Sequence, residues 1–276
     1  MDTIDKGTQM KKIERRMQDV LNRGEKVLVS GVPVGYPDVD TTRRIVEIYI
    51  QSGIDVVEFS MPSPDPYIDT SIIADSNIKA LNSEPNLENF FDILFKVRED
   101  FPEEPFYMMA YADIICKFGI ERFVEYLHKL DIDAVELPDK EEAVPELVSQ
   151  LDPLLEKAGI YRTYILHHPF NEKFFNRIKK KAKGFVLFQS FADAFGKRAR
   201  VALENKAIIE TMRMSGLNIP IILGYGINNP ARVKEAVAVG ADGVIVGTAM
   251  IERISIGDYL ELSKFIREIK EATLPL

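Results

Sequence analysis

A chain of 276 residues, 46% hydrophobic and 28% charged, has the balance of a soluble globular protein, and α/β barrels routinely reach this size as one domain. Its 35 Lys and Arg against 43 Asp and Glu give a net charge of -8, which argues against a general nucleic-acid binder or an anionic-membrane binder. A single cysteine, Cys116, excludes an internal disulfide framework and fits a reducing compartment, and with His128, His167 and His168 badly spaced for zinc no metal is expected. The N-terminal stretch has no apolar core of a signal peptide and no apolar run approaches bilayer length, so a cytoplasmic protein is expected.

Met10, Ile13, Met17 and Val20 recur at three- and four-residue steps, so residues 8–23 read as an amphipathic helix ahead of the main pattern. Residues 26–34, KVLVSGVPV, read as a strand that ends at Gly35-Tyr36-Pro37. Thr41 and Thr42 then open a helix whose apolar positions are Ile45, Val46, Ile48 and Tyr49, stopping at Gly53. Strand-like runs follow at 54–60, 105–111, 132–137, 161–166, 185–189, 219–223 and 243–246. Helical periods fill the intervals at roughly 72–99, 119–129, 140–157, 171–182, 200–215, 229–238 and 257–272. Eight strands, each followed by a helix, predict parallel βαβ units closed into a (β/α)₈ TIM barrel. An open doubly wound sheet is the alternative, but GVPVGYPD after the first strand lacks the G-x-G-x-x-G fingerprint that would favour it. No linker interrupts residues 1–276, so one domain is expected.

Two stretches carry chemistry. The run DVVEFSMPSPDPYID (55–69) delivers Glu58 to a strand end and continues into a loop stiffened by Pro62, Pro64 and Pro66 that bears Asp65 and Asp69. An acid at the end of a strand buried on both faces is expensive unless it acts there. The bland alternative is that Glu58 pairs with a buried Lys or Arg while Asp65 and Asp69 cap the next helix. The second stretch is IPIILGYGI (219–227) with ADGVIVGTAM (241–250). Gly224, Gly226 and Gly247 let backbone N–H groups approach an anion, Thr248 adds a hydroxyl, and a helix starting near Thr248 presents its positive end. In a barrel these are the loops after the last two strands, the usual phosphate site. Tyr111 at the end of the third strand, Asp139 just past the fourth and Gly196 in the loop after the sixth converge on the same mouth. Two carboxylates in a partly desolvated mouth are placed to divide acid and base work between them. His167-His168 ends the fifth strand as either a base or a hydrogen-bonded mouth residue, Cys116 reads as a small packed hydrophobe, and KKKAK (179–183) as a solvated helix end.

VEFSMPSPDPYID, the MAYAD stretch around Tyr111, ELPD at 136–139, GYGINNPARV and GVIVGTAMI together resemble the tryptophan synthase alpha chain family, in the family's order from Leu28 to about Ile254. The resemblance implies a (β/α)₈ barrel with an extra N-terminal helix at 8–23 and the retro-aldol cleavage of indole-3-glycerol phosphate to indole and glyceraldehyde 3-phosphate. It implies no cofactor in this chain and, as partner, a beta chain that carries pyridoxal phosphate. It makes Glu58 the acid/base, which protonates indole C3 and accepts the glycerol hydroxyl proton, and Asp69 the carboxylate that stabilises the indole N–H. It makes Gly196, Gly226, Gly247 and Thr248 the phosphate-holding positions, Thr248 standing for a common Ser. The chain departs from the family pattern at Thr70-Ser71 (usually Gly-Pro), at Phe195 (a Thr in the lid loop), at Asp113 (commonly Asn) and at Gly31 (often aromatic). These departures keep two alternatives open: a barrel lyase, aldolase or isomerase acting on another phosphorylated metabolite, and a non-catalytic subunit that binds a phosphorylated ligand.

Overall fold

A computed structural model describes residues 10–190, 198–224 and 226–275. Its centre is a closed ring of parallel strands in chain order: β1 (Val27–Pro33), β2 (Val56–Ser60), β3 (Phe106–Met109), β4 (Ala134–Glu136), β5 (Tyr161–Leu166), β6 (Val186–Gln189), β7 (Ile221–Gly224) and β8 (Gly243–Val246). β8 returns to β1 with Gly243 opposite Val27, which closes the barrel. The (β/α)₈ architecture read from the alternation of elements is the one observed.

α1 (Lys12–Asn22) precedes β1. Around the ring follow α2 (Thr41–Ser52), α3 (Ser71–Ser83), α4 (Leu87–Asp100), α5 (Ala112–Phe118), α6 (Ile120–Lys129), α7 (Pro145–Ala158) and α8 (Glu172–Ile178). α9 (Arg198–Met214), α10 (Pro230–Ala238), α11 (Thr248–Ile256) and α12 (Tyr259–Glu271) complete it. Strand side chains alternate in direction, so each strand feeds two cores. Val29, Val56, Tyr107, Ala134, Ile165, Leu187 and Ile222 point inward and cluster with Ile13, Met17 and Val20 of α1, which closes the end where the strands begin. The outward set, including Leu28, Val57, Phe59, Met108 and Val244, packs under the helices.

Three strands share a device at that closed end. Asp55, Asp133 and Asp242 each precede a strand and accept a backbone N–H at the start of the preceding strand: Leu28, second in β1, at 2.8 Å, and Phe106 and Ile221, first in β3 and β7, at 3.2 Å and 2.8 Å. Lys270 pairs with Asp55 and Arg213 with Asp242, while burial raises Asp133 to about 6.

The element pattern differs from the expected one in four places. The helix expected over 72–99 is two, because Pro85 cannot continue the helical hydrogen bonding and Asn86 caps the second, accepting from the Glu88 N–H at 3.1 Å. The third strand stops at Met109 instead of 111, and Tyr111 becomes the N-cap of α5, a helix the periodicity did not reveal. A 3₁₀ turn at Glu141–Ala143 precedes α7, which starts at Pro145. α8 ends at Ile178, so 179–183 lie beyond it. Cys116, expected to pack, is exposed on α5. None of the described helices is long and apolar enough to cross a membrane.

The tightest point of barrel closure is Gly243. A Cβ there would lie 2.4 Å from the Val27 carbonyl oxygen, a backbone atom that cannot swing aside. Gly243→Ala should therefore lower folding stability by about 1–3 kcal/mol, the usual effect of overpacking, read as a lower midpoint in urea unfolding. An unchanged midpoint would show that β1 and β8 separate more easily than their register implies.

Candidate active site

The open end of the barrel holds a cavity of 330 Å³, within the range of small-molecule sites. Its walls include Glu58, Asp69, Gly224, Gly226, Gly247 and Thr248, so the acids from the early part of the chain and the glycine turns from the late part share one opening. The register explains this. Glu58 has the inward direction of Val56, two residues before it on β2, and lies opposite Tyr107 on β3.

Glu58 is buried, and its hydrogen-bond partners are hydroxyls, not the basic residue of the bland alternative. Ser60 donates to Oε1 at 2.9 Å and Tyr107 donates to Oε2. Burial pushes its carboxyl above the usual range, the two donors pull it down, and the charge of Asp69 pushes it up again. Gly31 makes room for it: a Cβ at that position would sit 2.6 Å from Glu58 Oε1. An aromatic at position 31 and this placement of Glu58 are mutually exclusive.

Asp69 sits in the loop before α3 and accepts from the Tyr111 hydroxyl at 2.8 Å. Burial raises it to about 6, against the pull of that donor. Neither Asp65 nor Asp69 caps α3, whose N-cap is Thr70 without a side-chain bond. Asp65 is exposed and is not among the residues that border the cavity. Tyr111 and Asp139 also stand outside its wall and brace the loop. The Tyr67 and Tyr111 rings pack 5.4 Å apart, and Asp139 bonds the Tyr67 hydroxyl and accepts from the Ala112 N–H at 2.8 Å.

On the far side α11 begins at Thr248, and Gly247, Thr248 and Ala249 all border the cavity, so the positive end of that helix faces it. Thr70 and Thr248 join the two halves through a hydroxyl–hydroxyl hydrogen bond of 3.0 Å. Among the described residues of the wall there is no Lys or Arg, so an anion there would rely on backbone N–H groups and the helix end. Gly196 and Phe195 lie outside the described residues. His167 and His168 border a neighbouring cavity of 240 Å³ with Asp139, and His167 Nδ1 lies 3.1 Å from Gln189 Oε1. Among the described residues no group of three His, Cys, Asp or Glu could hold a metal ion.

Two acids of the wall were not singled out in the sequence, Glu136 at the end of β4 and Glu252 on α11. Glu136 carries the signal that marked Glu58, an acid closing an apolar strand-like run, and the same rule applied to residues 132–137 finds it.

A parallel barrel with carboxyl groups and glycine turns bordering one cavity at the C-terminal ends of its strands has the layout of a barrel enzyme. The family model for the tryptophan synthase alpha chain matches residues 17–272. A tryptophan synthase alpha chain from Caldanaerobacter subterraneus is 29% identical over 97% of this chain and 98% of its own length. One from Geobacter sp. is 30% identical over 96% and 98%. The crystal structure of tryptophan synthase subunit alpha from Legionella pneumophila superposes with a TM-score of 0.83 at 22% identity, covering 96% of this chain and 98% of that one. The chain belongs to the tryptophan synthase alpha chain family, lyases that act on indole-3-glycerol phosphate in tryptophan biosynthesis.

Holding Asp69 in this mouth has a stability consequence. Its carboxyl is raised from 3.8 to about 6, so ionisation disfavours the folded state increasingly as pH rises between those values and fully above them. Asp69→Asn should stabilise the fold by about 1 kcal/mol at about pH 8, water in the mouth reducing the full linkage effect, and by nothing at about pH 3. Thermal unfolding of both proteins at the two pH values checks this, and equal midpoints at high pH would contradict it.

Proposed function

We propose that this chain cleaves indole-3-glycerol phosphate with Glu58 as the base and Asp69 as the electrostatic partner of the indole N–H. What carries the reading is the single cavity bordered by both acids and by the Gly224, Gly226, Gly247 and Thr248 turns. Retro-aldol cleavage withdraws a proton from the glycerol hydroxyl next to the ring, adds one to the ring carbon, and breaks the bond between them. A carboxylate held by Ser60 and Tyr107 keeps a fixed direction, as proton transfer demands. Ionised above about 6, Asp69 suits positive charge developing on the ring nitrogen. Turns and a helix N-terminus suit the phosphate, and the apolar wall of Ile68, Met109, Ile165, Leu187 and Phe188 suits the indole. These are proton transfers that need no cofactor in this chain. The partner we propose is a beta-type chain that carries pyridoxal phosphate and consumes the indole.

Indole release from indole-3-glycerol phosphate tests the assignment. Glu58→Gln should lower kcat by at least about 100-fold, with KM changed far less, because the amide keeps the shape and loses the base. Asp69→Asn should lower kcat by at least about tenfold. Full turnover by Glu58→Gln would remove Glu58 from the chemistry.

A further inference from the structure

Glu58, Asp69 and Glu136 border the same cavity, yet their surroundings differ. Glu58 accepts from two hydroxyls and Asp69 from one, and such donors favour an ionised carboxylate. Glu136 is 3% exposed, and its Oε2 is closed off from solvent with no hydrogen-bond partner. The groups that face it are Glu58 from β2, Asp69 from the loop after β2 and Tyr107 from β3. The one cation acting on it is Arg162 of β5, whose guanidinium is engaged with Asp152 at 3.5 Å and with the Tyr164 ring. An uncompensated carboxylate in that position is unfavourable, so the group keeps its proton. Burial, reinforced by the charges of Glu58 and Asp69, holds it well above the usual carboxyl range, with Arg162 pulling the other way.

Burial pushes Glu58 and Glu136 up alike, but two hydroxyl donors pull Glu58 back down while no partner reaches Glu136 Oε2, and two carboxyl groups so distinguished can divide acid and base work. Cleavage needs one proton delivered to the ring carbon and another withdrawn from the hydroxyl. The family resemblance assigns both transfers to Glu58, and a second buried carboxyl bordering the same cavity allows them to be divided. We infer that Glu136 delivers the proton to the indole ring carbon while Glu58 takes the proton of the glycerol hydroxyl, an assignment that rests on the reaction proposed above. In the first step the Glu136 O–H bond breaks and the carbon–hydrogen bond forms, leaving positive charge on the ring nitrogen opposite Asp69. In the second, Glu58 accepts the hydroxyl proton, the aldehyde carbonyl forms, the carbon–carbon bond breaks, and its electron pair neutralises the ring. Glu136 ends ionised and Glu58 protonated. Return of one proton from Glu58 to Glu136 resets the site, and Tyr107, hydrogen-bonded to Glu58, stands on the strand between them.

The test is the pH profile of indole release by the full chain and by its Glu136→Gln and Glu136→Asp variants, with infrared detection of the carboxylic acid C=O stretch. The wild-type profile should be a bell whose alkaline limb is the ionisation of Glu136, and the acid C=O band should vanish along that limb. Glu136→Gln should lose the band and at least about 100-fold in kcat, the range of general acid catalysis, with KM within about threefold; Glu136→Asp should recover part of the rate. Glu136→Gln turning over within about threefold of wild type, or an unchanged alkaline limb, would overturn the assignment. If Glu136→Gln does not fold, the wild-type protein decides alone: no acid C=O band near neutral pH overturns the assignment, and a band that titrates with the alkaline limb supports it. If the wild type shows the band but cleaves no indole-3-glycerol phosphate, the proposed reaction fails and this assignment falls with it.

Discussion

The constraint on which this molecule turns is the expense of placing carboxyl groups inside a closed barrel. Glu58 is largely buried, so Ser60 and Tyr107 supply hydrogen bonds that water would otherwise give, and Gly31 leaves the space its carboxyl needs. Asp69, at the rim, has one hydroxyl donor and partial access to solvent, and settles at about 6. Glu136 has no donor to its Oε2, and burial with the charges of Glu58 and Asp69 holds it well above the usual carboxyl range. Desolvation, offset by hydroxyl donors at Glu58 and Asp69 and modified by the charges that these groups and Arg162 exert on one another, thus gives three carboxyl groups three different settings within one cavity.

The barrel makes the arrangement possible through register. Period-two alternation turns Glu58 inward and sets it opposite Tyr107, and β4 brings Glu136 opposite Met109, with Tyr107 two residues back on the intervening strand. The closed end is fixed by α1 and by the aspartates that grip neighbouring strands, which leaves the other end free to carry function. Thr70 ties the acid loop to the start of α11 through Thr248, so a departure from the family pattern becomes a strut across the mouth.

Much of this was legible in the sequence because strand and helix periods are local properties. The strand runs, the Glu58 loop and the late glycine turns all depend on residues within a few positions of one another. What stayed hidden depends on distant partners or on short elements. α5 is only seven residues long, too short for a period to emerge, and Tyr111 reads equally well as a strand end or as a cap. Pro85 shows where a helix must stop, yet the apolar positions on both sides of it continue one pattern. Glu136 was visible as an acid at a strand end, but the lack of a partner at its Oε2 depends on residues distant in the chain. Asp65 and Asp139 read alike as mouth acids, and only the loop's three-dimensional course leaves one exposed and the other bracing Tyr67.

The central claim is that indole, glycerol and phosphate all fit across one opening, between the early acids and the late turns. A crystal structure of the Glu58→Gln variant with indole-3-glycerol phosphate tests it most directly. The account predicts the phosphate on the first turn of α11 beside Gly247 and Thr248, the ring N–H against Asp69, and the glycerol chain between positions 58 and 136. A substrate bound in the neighbouring cavity beside His167, or a ring turned away from Asp69, would contradict it.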